Sequence, residues 1–215
     1  MSLVLHYHPL ASFCHKALIA LYENDVPFVP QLVDLGNAVQ RAEFLRVWPI
    51  GKFPVLRDET REKTIPESSI IVEYLQQYYP GKVKLIPEAA DDARETRLLD
   101  RFFDLYVHEP MQKIVTDRLR PAGSDDPHGV EHARKVMRTA FDMLEKDMAQ
   151  RTWAAGENFG LADCAAAPAL FYANKVMPIA DHHPHLARYL ERLMQRPSYA
   201  RVLAEAQPYF AMFPS

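Results

Sequence analysis

A chain of 215 residues can bury a sizeable apolar core without disulfide or metal staples, and its 48% hydrophobic and 25% charged residues exclude a disordered segment or a disulfide-rich miniprotein. Twenty-five Lys and Arg nearly balance 28 Asp and Glu, so a formal charge of -3 argues against a general pull toward nucleic acid or an anionic membrane. Two widely spaced cysteines, Cys14 and Cys164, no secretory-type N-terminal pattern and no apolar run long enough to span a bilayer lead us to expect a reducing, cytoplasmic setting with no membrane partner.

Seventeen prolines against seven glycines punctuate the chain. Leu3 to Tyr7 is a short apolar run ended by Pro9 and reads as a buried strand. Phe13, Ala17, Leu18, Leu21 and Tyr22 then recur at helical spacing, with Ser12 in the N-cap position. Phe28 to Val33 reads as a second strand, and a right-handed β-α-β crossover makes the two strands parallel. A short helix over Ala42 to Val47 follows, then a hairpin of Phe53 to Arg57 and Lys63 to Ile65 around Asp58-Glu59. Glu67 to Tyr79 places Ile70, Ile71, Tyr74, Leu75 and Tyr78 on one helical face before Pro80-Gly81. Residues 1–80 thus form an α/β unit, in which a parallel pair is extended by an antiparallel hairpin.

Residues 81–91 are linker-like, and residues 92–215 read as helix throughout. Two long amphipathic stretches, from Asp92 to about Leu119 and from Val130 to about Gln150, are expected to pack antiparallel. Leu161 to Val176, Leu186 to Gln195 and Ser198 to Ala206 make three more helices, with Pro184 and Pro197 at the joints. His182, His183 and His185 read as a solvated interhelical loop, because adjacent histidines point apart and no carboxylate-rich shell accompanies them. No metal is expected.

Four stretches in this order resemble the cytosolic glutathione transferase superfamily, in its bacterial type with a serine- or cysteine-like N-terminal motif. They are Tyr7-His8-Pro9-Leu10-Ala11-Ser12-Phe13-Cys14, Pro49-Ile50-Gly51-Lys52-Phe53-Pro54-Val55-Leu56, Ile65-Pro66-Glu67-Ser68-Ser69-Ile70-Ile71 and Gly160-Leu161-Ala162-Asp163. The resemblance covers the whole chain. It implies a thioredoxin-like α/β N-terminal domain, an all-α C-terminal domain, glutathione as co-substrate, a small hydrophobic electrophile as second substrate and a homodimer. Asp163 takes a structural role by the same resemblance, in a capping box of which glycine at 160 leaves only half.

Several residue roles follow. By resemblance Phe53-Pro54 is a cis bond, and the Phe53 backbone pairs with the cysteinyl part of glutathione like an added strand. Glu67 and Ser68 open a helix whose free amides and dipole suit a carboxylate, while the acidic side chain suits the ammonium of the γ-glutamyl end. Lys52 reaches the glycyl carboxylate or is a solvated loop lysine, and Gln40 and Arg41 lie where they could assist. Leu10, Phe13, His108 and Met111 line the electrophile pocket by fold analogy.

Three residues compete to activate the thiol, which titrates at about 8.5 when free and needs a donor or a positive field to exist as thiolate. The serine-type motif His-Pro-Leu-Ser-Pro-Phe puts Ala11 where its hydroxyl belongs. Ser12, one residue later at the helix start, can still donate to sulfur. Tyr7 matches the place of the tyrosine in tyrosine-type members. Cys14, in the first helical turn, stands where a thiol pKa is lowered and would then serve a glutathione-dependent thiol transferase or reductase, or else it is a buried core residue. A non-catalytic glutathione-binding or interaction module remains the third reading, because of Ala11.

Overall fold

The computed structural model describes residues 3–214. Strands β1 (Leu3–Tyr7), β2 (Val29–Leu32), β3 (Val55–Asp58) and β4 (Lys63–Pro66) form one sheet in the order β2-β1-β3-β4. The β1–β2 pair is parallel, β1–β3 and β3–β4 are antiparallel. Helices α1 (Ser12–Glu23), α2 (Ala38–Val47) and α3 (Ser68–Tyr78) complete this unit, and α2 begins four residues before the expected start because Asn37 accepts from the amides of Val39 and Gln40.

Register places the functional end of the sheet. His6 stands opposite Val55, and Val55 opposite Pro66. The chain leaving β1, the Phe53-Pro54 segment entering β3 and the Glu67-Ser68 segment leaving β4 therefore gather at one end. This is the carboxyl end of the central parallel pair, where open α/β sheets usually bind ligands.

The helical part comprises α4 (Ala90–Phe102), α5 (Glu109–Asp117), α6 (Pro127–Met148), α7 (Leu161–Val176), α8 (Pro184–Gln195) and α9 (Pro197–Ala206), closed by a 3₁₀ segment at Gln207–Met212. The expected single helix from Asp92 to about Leu119 is interrupted by a π-helical segment at Phe103–His108. Pro110 is the cause. It has no N–H for the Tyr106 carbonyl, and the neighbouring Glu109 amide reaches five residues back to the Asp104 carbonyl instead. Pro184 and Pro197 sit at the first helical position of α8 and α9, where no N–H is needed.

The linker between the two parts is pinned. Asn24 binds both the amide and the carbonyl of Val83, Gln76 does the same for Ile86, and Leu85 and Ile86 are buried. At Gly160 the linker carbonyl of Leu85 comes so close that a Cβ would lie 2.8 Å from it, while Leu161 donates to that carbonyl at 2.7 Å. Glycine at this cap is thus required by close approach. Asp163 supplies the other half of the cap: it accepts from the amides of Gly160 (2.8 Å) and Ala154 (2.9 Å) and from the Tyr189 hydroxyl.

Helix α1 is enclosed by α3 on one flank and by α7 and α9 on the other. Residues from Cys14 to Leu21 are all buried in consequence, Lys16 among them. Its ammonium bonds Asp104 Oδ2 (2.9 Å) and Ser69 Oγ (2.9 Å) and pairs with Asp100, so one buried cation ties α1 to α3 and to the α4–π segment.

The histidine loop differs from expectation. His182 is exposed, but His183 is buried, edge-on to Phe141 at 5.6 Å, with Nε2 2.9 Å from Asp142 Oδ1. Packing of α8 against α6 encloses it. Among the described residues no group of His, Cys, Asp and Glu is arranged to hold a metal ion, and no helix is long and apolar enough to cross a membrane.

Candidate functional site

A cleft of about 600 Å³ opens between the sheet end and the helical part. From the first unit it takes Leu10, Ser12 and Phe13 at the start of α1, with Lys52 and Phe53 from the segment before β3. From the helical part it takes His108 and Met111, then Val115 and Leu119 one and two turns on. Tyr172 of α7 and Met212, Phe213 and Pro214 form a further wall. All four expected pocket residues therefore meet Ser12 in one cavity.

Ser12 is the first residue of α1, not its cap. The Ala11 carbonyl accepts from both Cys14 (2.9 Å) and His15 (3.2 Å), which makes Ala11 the cap and starts the helix one residue earlier than expected. The amides of Ser12 and Phe13 precede the first intrahelical donor and have no helical partner. Among the described residues no hydrogen bond engages the Ser12 hydroxyl. Two free amides and a free hydroxyl thus open onto the cleft where the helix dipole is positive.

Tyr7 and Cys14 do not line the cleft. Tyr7 packs against the main core, and burial pushes its phenol pKa up, with Glu205 adding to the rise. Cys14 is the buried core residue, without a lowered thiol pKa. Its side chain is fully buried, and burial pushes the thiol up to about 12 against the smaller effect of a hydrogen bond to the His8 backbone. Such a sulfur has neither the access nor the thiolate that disulfide exchange requires.

The Phe53-Pro54 bond is cis, and Pro54 is buried behind it. Glu67 has a φ of 69°, a left-handed conformation that a non-glycine residue adopts at a cost, of the sort that gathers at ligand-holding positions. Ser68 follows as the first residue of α3, buried, with no hydrogen bond to its hydroxyl among the described residues. Lys52 is exposed at the mouth of the cleft. Arg41 is exposed outside it, and Gln40 is occupied in accepting from the Asp34 amide at 2.9 Å.

His108 and Gln112 are polar groups in the otherwise apolar wall. The His108 ring meets Phe13 edge-on at 4.3 Å, and burial, helped by the charge on Lys16, lowers its pKa to about 4, so it is neutral near pH 7. Three features of the site escaped the sequence reading. Tyr172 donates to the Leu10 carbonyl at 2.7 Å and pins the loop before α1; Phe213 stacks on Tyr172 at 5.4 Å; and Arg118 holds the Pro214 carbonyl at 2.9 Å. His8 also lines the cleft, its ring nearly parallel to Phe53 at 6.2 Å.

This layout has counterparts of known family. Residues 5–83 match the glutathione S-transferase N-terminal domain, and residues 102–197 match the glutathione S-transferase C-terminal domain, most of the chain between them. The chain belongs to the cytosolic glutathione transferase superfamily. Relatives of this chain include the glutathione S-transferase GstB of Escherichia coli K12, 27% identical over 87% of this chain and 91% of the relative. The FtsZ-localized protein A of Caulobacter vibrioides is 29% identical over 96% and 93%. A glutathione S-transferase structure from Methylobacillus flagellatus KT, with glutathione bound, superposes with a TM-score of 0.85 at 25% identity, covering 93% of this chain and 98% of that one.

Proposed function

We propose that this transferase conjugates or isomerises a small hydrophobic electrophile with glutathione held as thiolate at the start of α1. The observation that carries the reading is the single cleft in which a free hydroxyl and two free helix amides face an apolar wall of Met111, Val115, Leu119 and Phe213. The polar end suits a thiolate and the apolar end suits an uncharged electrophile, and one cavity holds both ends. Phe53 offers its backbone to the cysteinyl part, Lys52 its charge to the glycyl carboxylate, and Glu67 and Ser68 hold the γ-glutamyl end. Two buried free cysteines suit a reducing, cytoplasmic setting.

Glu67→Ala and Ser68→Ala are each expected to weaken glutathione by about 1–3 kcal/mol, the usual loss of a charge-assisted partner. Calorimetric titration checks this, and unchanged affinity in both variants would leave the pair with a helix-capping role alone.

A homodimer suits the exposed apolar side chains Ile70 of α3, Leu98 of α4 and Leu105 and Tyr106 of the π segment. The two elements are clamped together by Arg97, which bonds both carboxylate oxygens of Glu73 at 2.9 and 3.0 Å. Exposed apolar side chains on linked elements are the kind of surface that a second copy of the chain covers. Sedimentation at micromolar concentration is expected to return twice the monomer mass, and Leu98→Glu with Tyr106→Glu to return the monomer. A wild-type monomer would overturn the assembly.

The competing reading is a glutathione-binding module without turnover, favoured by Ala11 in the serine-type position. Turnover of any activated aromatic or enone substrate in the presence of glutathione decides against it.

A further inference from the structure

We infer that His8, with Nδ1 turned back onto the Leu10 amide and Nε2 left free at the cleft beside Phe53, is a second hydrogen-bond donor to the glutathione thiolate. The inference rests on the reading above, in which Phe53 holds the cysteinyl part of the substrate.

The argument begins with the tautomer. The Leu10 amide donates to His8 Nδ1 at 3.2 Å, so that nitrogen presents its lone pair and the neutral ring carries its proton on Nε2. The ring is fixed rather than rotating, because Phe53 lies along one face at 6.2 Å and Tyr209 meets it edge-on at 5.3 Å. Among the described residues no protein group binds Nε2, and the ring lines the cleft.

Its charge state follows from the same contacts. A second proton would have to sit on Nδ1 against the Leu10 N–H, and burial also lowers the His8 pKa, with the carboxylate of Asp34 opposing. Tyr7 at the end of β1, Tyr209 from the C-terminal turn and Lys52 at the cleft supply no counter-anion. The neutral ring therefore donates through Nε2–H and is a poor base, its available lone pair being taken. The thiol proton leaves to water, and the imidazole N–H stabilises the anion that remains. Alanine at 11 removes the hydroxyl of the serine-type motif, and His8 brings a donor to the same end of the sheet from three residues earlier.

The test uses three variants of the whole chain. The Gln amide nitrogen reaches about where Nε2 lies and the Asn amide nitrogen about where Nδ1 lies, so the two discriminate a donor from a packing role. Ultraviolet titration of bound glutathione is expected to show the thiol pKa raised by about one in His8→Ala and His8→Asn, with conjugation slowed roughly tenfold and little change in KM for glutathione. His8→Gln is expected to keep values near wild type. A wild-type thiolate pKa in His8→Ala, or a His8→Gln enzyme as impaired as His8→Ala, overturns the donor role. Calorimetry on the wild type separates the two levels: no glutathione binding overturns the functional reading, and binding with unaltered thiolate pKa in the variants overturns this inference alone.

Discussion

Lys16→Met is expected to destabilise the fold by about 3–5 kcal/mol at pH 7, the cost of breaking a buried ion pair by removing one partner. The ammonium is 1% exposed and stands between Asp100 and Asp104, themselves buried. Without it the two carboxylates face each other with only Arg101, 2.9 Å from Asp104 and half exposed, to offset one of them. Burial already raises the Asp104 pKa, with Lys16 opposing that rise. In the variant the folded-state pKa moves further above its unfolded value. A raised carboxyl pKa favours the fold at low pH and loses that contribution as pH climbs through it, because the folded state then binds more protons than the unfolded one. The deficit of Lys16→Met should therefore be small near pH 4 and grow toward neutrality. Denaturant melts at both pH values measure it, and adding Asp104→Asn should recover part of the loss at pH 7. Equal deficits at pH 4 and pH 7 would sink the account, since a packing defect has no such dependence.

Legibility followed the range of the forces involved. The parallel pair and the antiparallel hairpin were readable because local spacing reveals both units, whereas the side on which the hairpin joins, at β1 rather than β2, came from the structure. The pocket residues Leu10, Phe13, His108 and Met111 came from resemblance, and the cleft gathers all four. What escaped was set by neighbours remote in sequence. Lys16 reads as an ordinary helix lysine until α7 and α9 close over α1. The wall of Met212, Phe213 and Pro214 has no periodicity to announce it, and it is held by Arg118, 96 residues away from Pro214.

Cys14 shows which of two opposed effects on a thiol prevails. A helix start lowers a thiol pKa through a dipole worth about 0.3–1 kcal/mol, less than one pKa unit, and only where solvent or a partner can support the anion. Complete burial drives the thiol the other way, to about 12, and outweighs it. His183 failed for the same reason in reverse: a polar, proline-containing stretch looked solvated, but α6 encloses the ring and Asp142 satisfies Nε2.

Ser12→Ala is expected to slow conjugation by roughly 10²-fold and to raise the pKa of bound glutathione, near the lower end for losing one oxyanion-type donor. Its hydroxyl is the donor best placed by the fold, since it stands in the first turn of α1, lines the cleft and is not engaged elsewhere among the described residues. The two free amides beside it remain in the variant, which is why the loss stops short of abolishing activity. Tyr7→Phe is expected to change turnover less than twofold on the scale where removing a transition-state interaction costs tenfold or more, because Tyr7 packs on the core and is absent from the cleft lining. Cys14→Ala should leave the thiolate pKa untouched, because the buried sulfur carries no charge at neutral pH. Ultraviolet titration of the bound thiolate in the three variants, alongside initial rates with an activated aromatic electrophile, gives the order of effects directly. A Ser12→Ala enzyme with normal thiolate pKa and normal turnover would refute the assignment, and a larger loss in Tyr7→Phe than in Ser12→Ala would transfer the role to the strand tyrosine.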